Sequence, residues 1–175
     1  IDTGYFSGHE DLPILSDEDG YSQTNDDEEL WKYDGYGHGT HVAGTIAALN
    51  NDYGVVGVTP GTVSLYIVKI FGDDGAWVSI AHASDLVAAA YECADNGANV
   101  ISMSLSGTHG SPYEEKAFDN IYAAGILSIA AASNDGIDEY HYPASYESVI
   151  SVAAIDEEMV VADFSQFNDQ VELAA

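Results

Sequence analysis

Three consecutive pieces decide the fold: Val100-Ile101-Ser102-Met103-Ser104-Leu105, then Ser111-Pro112-Tyr113-Glu114-Glu115 running to Ala124-Gly125, then Ile126-Leu127-Ser128-Ile129-Ala130-Ala131-Ala132. The outer two are short apolar runs of strand length. The middle one opens with Ser-Pro and places acids in its first turn, where the helix dipole favours them, and Gly125 stops it. Working outward, Thr62 to Phe71 is β-branched and aromatic and predicts a strand. Ser79 to Asp95 is Ala-rich, with Ile80, Ala83, Val87, Ala90 and Tyr91 at helical spacing, and Asn96-Gly97 ends it. Val149 to Ile155 predicts one more strand. Repeated strand–helix–strand units with continuous apolar strands imply an α/β fold. The expected form is a three-layer, doubly wound, mainly parallel sheet with helices on both faces. Right-handed crossovers then bring the strand C-termini to one edge, where ligands bind.

Charge narrows the function. The chain of 175 residues carries 30 Asp+Glu against 3 Lys+Arg, a net charge of −27. Nucleic-acid binding runs on Lys/Arg neutralisation of phosphate, so no nucleic-acid partner is expected. Docking on anionic lipid is disfavoured for the same reason, and no apolar run approaches the ~18 residues of a membrane span. A hydrophobic fraction of 46% is too high for a disordered acidic tail. The single cysteine, Cys93, excludes an internal disulfide framework and reads as a buried small hydrophobe. The acidic run from Ser16 to Asp34, with Asp17, Glu18, Asp19, Asp26, Asp27, Glu28 and Glu29, reads as solvated surface. The acidity suits a secreted, extracellular protein, and either a saline habitat or ordinary acidic composition accounts for it. Ile1 at one end and the apolar Val171–Ala175 at the other predict a domain cut from a longer chain at both ends.

Chemistry concentrates at three places. Gly37-His38-Gly39-Thr40-His41-Val42-Ala43-Gly44-Thr45 sets an imidazole at a loop-to-helix junction between glycines. Asp2, followed by Thr3-Gly4, ends the first apolar segment. Asn134 follows the run Ile126–Ala132, where an amide can donate to a developing oxyanion. Carboxylate, imidazole and amide are three parts of an acyl-transfer site, and the nucleophile is the missing fourth. His38 and His41, three apart on a helix, leave open a metal-dependent hydrolase built with Asp2. A nucleotide-binding domain fits the sheet but not the residues: Gly35-x-Gly37 is followed by Thr40 where a third glycine is needed.

Ile1-Asp2-Thr3-Gly4, His38 to Thr45, Ile101-Ser102-Met103-Ser104-Leu105 and Tyr142-Pro143-Ala144 resemble, in order and over essentially the whole chain, the subtilisin-like serine proteases (subtilases, peptidase family S8). The resemblance implies a serine endopeptidase acting by a Ser-His-Asp acyl-enzyme mechanism. In that reading Asp2 orients the imidazole, His38 is the general base and then acid, and Asn134 is the oxyanion donor. His41 is implied to be a buried structural residue. Ser104-Leu105-Ser106-Gly107 is implied to pair with the substrate backbone, with Gly75-Ala76-Trp77 on its other side. The pocket for the residue before the cleaved bond is implied to be walled by Ser104-Leu105-Ser106 and Ala131-Ala132-Ser133, with His141 at its floor and Asp135, Asp138 and Glu139 at its rim. Such a rim predicts a broad endopeptidase that disfavours acidic residues before the cleaved bond.

No serine present has the Gly-Thr-Ser-Met-Ala surroundings of the family nucleophile, so the resemblance implies that it lies beyond Ala175 and that this piece alone is inactive. The alternative is a non-catalytic peptide-binding relative with the serine replaced. Ser106 and Ser133 stand where the family usually has glycine. No organic cofactor is implied. A structural calcium is, held by the side chains of Asp11 and Asn51 and the backbone oxygens of Leu49, Tyr53 and Val55. Protein or peptide substrates, and a propeptide in the precursor, are the implied partners.

Overall fold

The computed structural model describes residues 1–24, 28–77 and 82–175. Asp26 and Asp27 of the acidic run, and Ser79 and Ile80 at the start of the expected long helix, lie outside them. Packing divides the chain into two compact units, Ile1–Asp85 and Leu86–Ala175.

In the first unit, β1 (Gly20–Ser22) pairs in parallel with β2 (Ile67–Lys69), and Asp2 adds a bridge to Lys69. A 3-10 turn spans Glu28–Lys32, and α1 runs His38–Ala47. The core here is Tyr5, Leu12, Trp31, Ala43 and Ala48, with Leu15, Leu65 and Ile67 packed against it. Two expectations change. The acidic run is not all solvated surface, because it holds β1 and buries Trp31 to 1% exposure. One large aromatic buried this way contributes roughly 3 kcal/mol, which outweighs the polar character of its neighbours. The strand expected over Thr62–Phe71 contracts to β2, since Thr59–Thr62 closes a turn around Pro60-Gly61.

The second unit carries the sheet that the opening stretch predicts. β3 (Val100–Met103), β4 (Leu127–Ala131), β5 (Val149–Ala153) and β6 (Val171–Ala174) lie in that order, and every pair is parallel. The helix α3 (Pro112–Ala123) connects β3 to β4 and packs against β4. Its start is built as the sequence suggests, with Ser111 Oγ accepting the Tyr113 and Glu114 amides and Pro112 in the first turn. The long helix, α2, runs His82–Asp95 and buries Leu86, Val87, Ala89, Ala90 and Cys93. Burial pushes the Cys93 thiol up, away from nucleophilic use. Within the unit the strands are not equally covered on both faces. β5 alternates buried Val149, Ser151 and Ala153 with half-buried Ile150 and Val152.

Candidate active site

Asp2 is fixed by backbone bonds before its side chain does anything. Its amide donates to Val68 O at 3.0 Å and its carbonyl accepts the Ile70 amide at 3.0 Å, which registers it against β2. The carboxylate is buried, and Oδ1 accepts the Thr3 amide at 2.7 Å and contacts His38 Nδ1 at 2.6 Å. A carboxylate only accepts, so Nδ1 carries the proton and the neutral imidazole presents its lone pair at Nε2. The His38 side chain is 41% exposed, against 11% for Asp2. The pair is therefore a shielded carboxylate behind an accessible base.

The loop-to-helix junction is held by Asp34, which was not singled out from the sequence. The first helical residue of α1 is His38 itself, and the preceding Gly37 adopts φ 85° with no side-chain cap of its own. Asp34 supplies the cap from a distance. Its Oδ1 accepts the Gly37 amide at 2.8 Å and the Thr3 hydroxyl at 2.8 Å; Oδ2 accepts the Thr40 amide at 2.9 Å and the Thr40 hydroxyl at 2.6 Å. Burial works to raise this carboxyl, but the bonds from Thr40, Gly37 and Thr3 outweigh it and hold it below the ordinary carboxylate value. The readable signal was an acid three residues before Gly37 and six before Thr40. Thr3 completes the junction, since its Oγ1 also accepts the Gly39 amide at 2.8 Å. Gly39 must be glycine, because a Cβ there would lie 2.3 Å from Gly4 O. Lys69, buried in β2, donates to Thr3 O and meets Asp73 Oδ1 at 3.0 Å.

Other residues of the first unit fall as follows. His41 is exposed on α1 rather than buried, on the same helix face as Thr45 one turn further on, which is exposed too. It does not join His38 in a metal centre: among the described residues no group of three His, Cys, Asp or Glu could hold an ion. Gly75 and Ala76 sit in a tight turn, with Gly72 N donating to Ala76 O at 2.8 Å and Gly75 N to Gly72 O at 3.0 Å. Trp77 is half-buried and packs on Phe71, ring centroids 4.6 Å apart.

Residues 49–55 wrap the buried carboxylate of Asp11. Leu49 N donates to Asp11 O at 2.9 Å and Val55 N to Asp11 Oδ2 at 2.8 Å. Asn51 Oδ1 accepts the Tyr53 amide at 3.1 Å. A Cβ on Gly54 would sit 2.2 Å from Asp11 Oδ2, so the loop closes only with glycine there. Asp11 Oδ1 is buried with no partner. A buried carboxylate oxygen left over inside an oxygen-rich loop fits a hard cation.

In the second unit a cleft of about 310 Å³ opens at the C-terminal ends of β3, β4 and β5. Its walls include Ser104, Ala131, Ala132, Ser133 and Asn134. Asn134 is exposed just past β4. Ser133 before it has φ 99°, a conformation that costs a side-chain-bearing residue, and its hydroxyl lies 3.0 Å from that of Ser106. The two serines that replace expected glycines are thus partners of each other. Leu105 is buried in the core and Ser106 is exposed, and neither lines the cleft. Gly107 cannot pair with an incoming chain as expected, because its amide and carbonyl are both committed to Tyr142 at 2.8 Å. His141 is not part of the cleft lining either. It is buried, with Nε2 3.4 Å from Asp135 Oδ2; Asp135, Asp138 and Glu139 are all exposed.

With this geometry in hand, the likenesses to known proteins are consistent. Subtilisin DY from Bacillus licheniformis is 41% identical over all of this chain and 62% of its own length. A thermostable alkaline protease from Halalkalibacterium halodurans is 41% identical over all of this chain and 45% of its own. Among solved structures, a psychrophilic subtilisin-like protease from the Antarctic psychrotroph Pseudoalteromonas sp. AS-11 superposes with a TM-score of 0.86 at 44% identity, covering 99% of this chain and 39% of that one. The chain thus spans at most about three fifths of these relatives. The pattern of the subtilase family, Peptidase S8, matches residues 1–175, and the chain belongs to that family.

Proposed function

We propose that this chain supplies the base, its orienting carboxylate and the oxyanion donor of a serine endopeptidase. The observation that carries the reading is the 2.6 Å contact between Asp2 Oδ1 and His38 Nδ1, with Nε2 left on a half-exposed ring. The serine comes from the parent chain outside these residues. His38 Nε2 takes the serine proton as the hydroxyl oxygen bonds the scissile carbonyl carbon. Asp2 stabilises the imidazolium, and the Asn134 amide donates to the oxyanion. The imidazolium then protonates the leaving amine, and a water deacylates the enzyme by the same base. Only the neutral imidazole accepts the proton, so the reaction requires His38 in its unprotonated form.

The substrate is an extended peptide. β3 is an outer strand in its sheet order, Ser104-Leu105-Ser106 continues it, and strand addition there holds main chain without regard to sequence. A protein this acidic disfavours Glu and Asp before the cleaved bond, less so in high salt. Calcium is the expected structural ion, held by Asp11 and Asn51 side chains and by Leu49, Tyr53 and Val55 oxygens, and when bound it cross-links the 49–55 loop to Asp11. Secretion and maturation from a propeptide-bearing precursor belong to the same proposal.

The test uses the full-length parent. A serine-reactive phosphonate labels it and abolishes peptide hydrolysis, and His38→Ala lowers kcat by on the order of 10⁶ while the fold persists. Binding of peptides with no labelling and no hydrolysis would instead establish a peptide-binding relative. Retained hydrolysis in His38→Ala would end the triad reading. Chelation lowers the melting temperature and added calcium restores it; an unchanged curve removes the calcium assignment.

A further inference from the structure

We propose that Asp34 is a positioning residue for the Asp2–His38 pair, an inference that rests on the endopeptidase reading. Asp34 does not need to touch the imidazole to act on it. Its four donors come from the two elements whose separation sets the Asp2–His38 contact. One is Thr3, the residue after Asp2; the others are the Gly37 amide and the Thr40 amide and hydroxyl, which bracket His38. A relay joins the same elements a second time, from the Gly39 amide to Thr3 Oγ1 and from Thr3 Oγ1 to Asp34 Oδ1, each at 2.8 Å. The segment bearing the carboxylate and the helix bearing the base are thus both fastened to one anion.

The chemistry requires an anion at this position. Four donors converge on two oxygens, and only a carboxylate accepts on both. An asparagine would turn an NH₂ toward either the Thr40 pair or the Thr3–Gly37 pair and leave them opposed. Gly37 cannot supply a side-chain cap to α1, and the one other side-chain acceptor on its first turn among the described residues, Thr3 Oγ1 on the Gly39 amide, is itself bonded to Asp34. Loss of Asp34 therefore releases the first turn of α1, which carries the base. Misplacement of a catalytic group by about 1 Å costs on the order of 10² in rate, and this is the scale expected.

The experiment is on the full-length protease, with Asp34→Asn, Thr3→Val, Thr3→Ser and His38→Ala. Thr3→Val removes the relay hydroxyl at nearly constant shape, and Thr3→Ser keeps it. Asp34→Asn and Thr3→Val lower kcat by about 10- to 100-fold with KM within about twofold, and they shift or broaden the downfield proton resonance of the Nδ1–H···Oδ1 bond. Thr3→Ser restores both. Should Asp34→Asn fail to fold, the two Thr3 variants decide. Unchanged kcat and resonance, a resonance unmoved while kcat falls, or no rescue by serine would each overturn the proposal. Persistent activity in His38→Ala is the separate outcome that defeats the endopeptidase reading itself.

Discussion

Two helices of this chain begin beside a shielded carboxylate, and the two carboxylates are held in opposite ways. At α1, Asp34 accepts four hydrogen bonds, and these hold it ionised below its ordinary value despite the opposing effect of burial. At α3, Glu114 is buried to 6% exposure and receives one side-chain donor, Tyr146 Oη at 2.6 Å. Burial raises its carboxyl, and the single bond from Tyr146 only partly opposes this. The difference is one of donor count against desolvation. The helix carrying the proposed base is organised around a fixed charge. The helix flanking the second unit's sheet is organised around packing, with Tyr146 stacked on Phe118 at 6.1 Å.

The comparison breaks most visibly in stability. Asp34→Ala strands several donors and removes a helix cap, so unfolding in denaturant shows a loss of about 2 kcal/mol at neutral pH. The depressed value means that the wild-type advantage is present at neutral pH and fades as pH falls through it. The gap between the two proteins therefore narrows in acid. A gap independent of pH would show that Asp34 acts by shape alone.

Glu114→Gln should give the mirror result, and a smaller one. Gln still accepts from Tyr146 but carries no charge to desolvate. A raised folded-state value makes the wild type's stability greatest in acid, and it erodes as pH rises from the ordinary carboxylate range through the raised value. Relative to wild type, Glu114→Gln gains about 1 kcal/mol on going from about pH 4 to about pH 8. Melting curves across that range check the sign, and a relative loss on raising pH would mean that Glu114 is held as an ion like Asp34.

The smallest effect concerns backbone conformation beside two residues of the proposed site, His38 at the start of α1 and Asn134 past β4. The first unit uses a glycine, Gly37 at φ 85°, next to His38, whereas the second uses Ser133 at φ 99° next to Asn134. Ser133→Gly relieves that strain but loses the contact with Ser106 and adds chain entropy to the unfolded state. The net expectation is a gain of about 0.5 kcal/mol, read as a small rise in melting temperature. A loss would show that the Ser106–Ser133 contact outweighs the backbone.

Much of the second unit was legible because its elements are locally consistent. Apolar runs bounded by Ser-Pro and Gly gave β3, α3, β4 and β5 to within one or two residues at most ends. β1 and β6 were not legible. Gly20–Ser22 lies in an acidic run, and Val171–Ala174 has too few residues for a period to show. Both became strands through the partners they found, β2 and β5. Of the candidate site, Asp2 and His38 could be named in advance, because an imidazole between glycines and an acid at a strand end have chemical meaning by residue type. Asp34 could not, since one acid among 30 Asp+Glu is distinguished only by the donors that converge on it.

By itself the sequence determined the parallel α/β character, the family and the identity of the proposed base and its carboxylate, because periodicity, turn residues and side-chain chemistry are local properties. Tertiary structure alone decided which acid is clamped and which is desolvated, that Gly107 is spent on Tyr142, that His141 pairs with Asp135, and that Ser106 meets Ser133. The Ser106–Ser133, Thr3–Asp34, Glu114–Tyr146 and Gly107–Tyr142 partners lie 27 to 35 residues apart, and even the six-residue His141–Asp135 pairing depends on how the loop folds and on the loss of water around the ring, none of which is written in the adjacent residues.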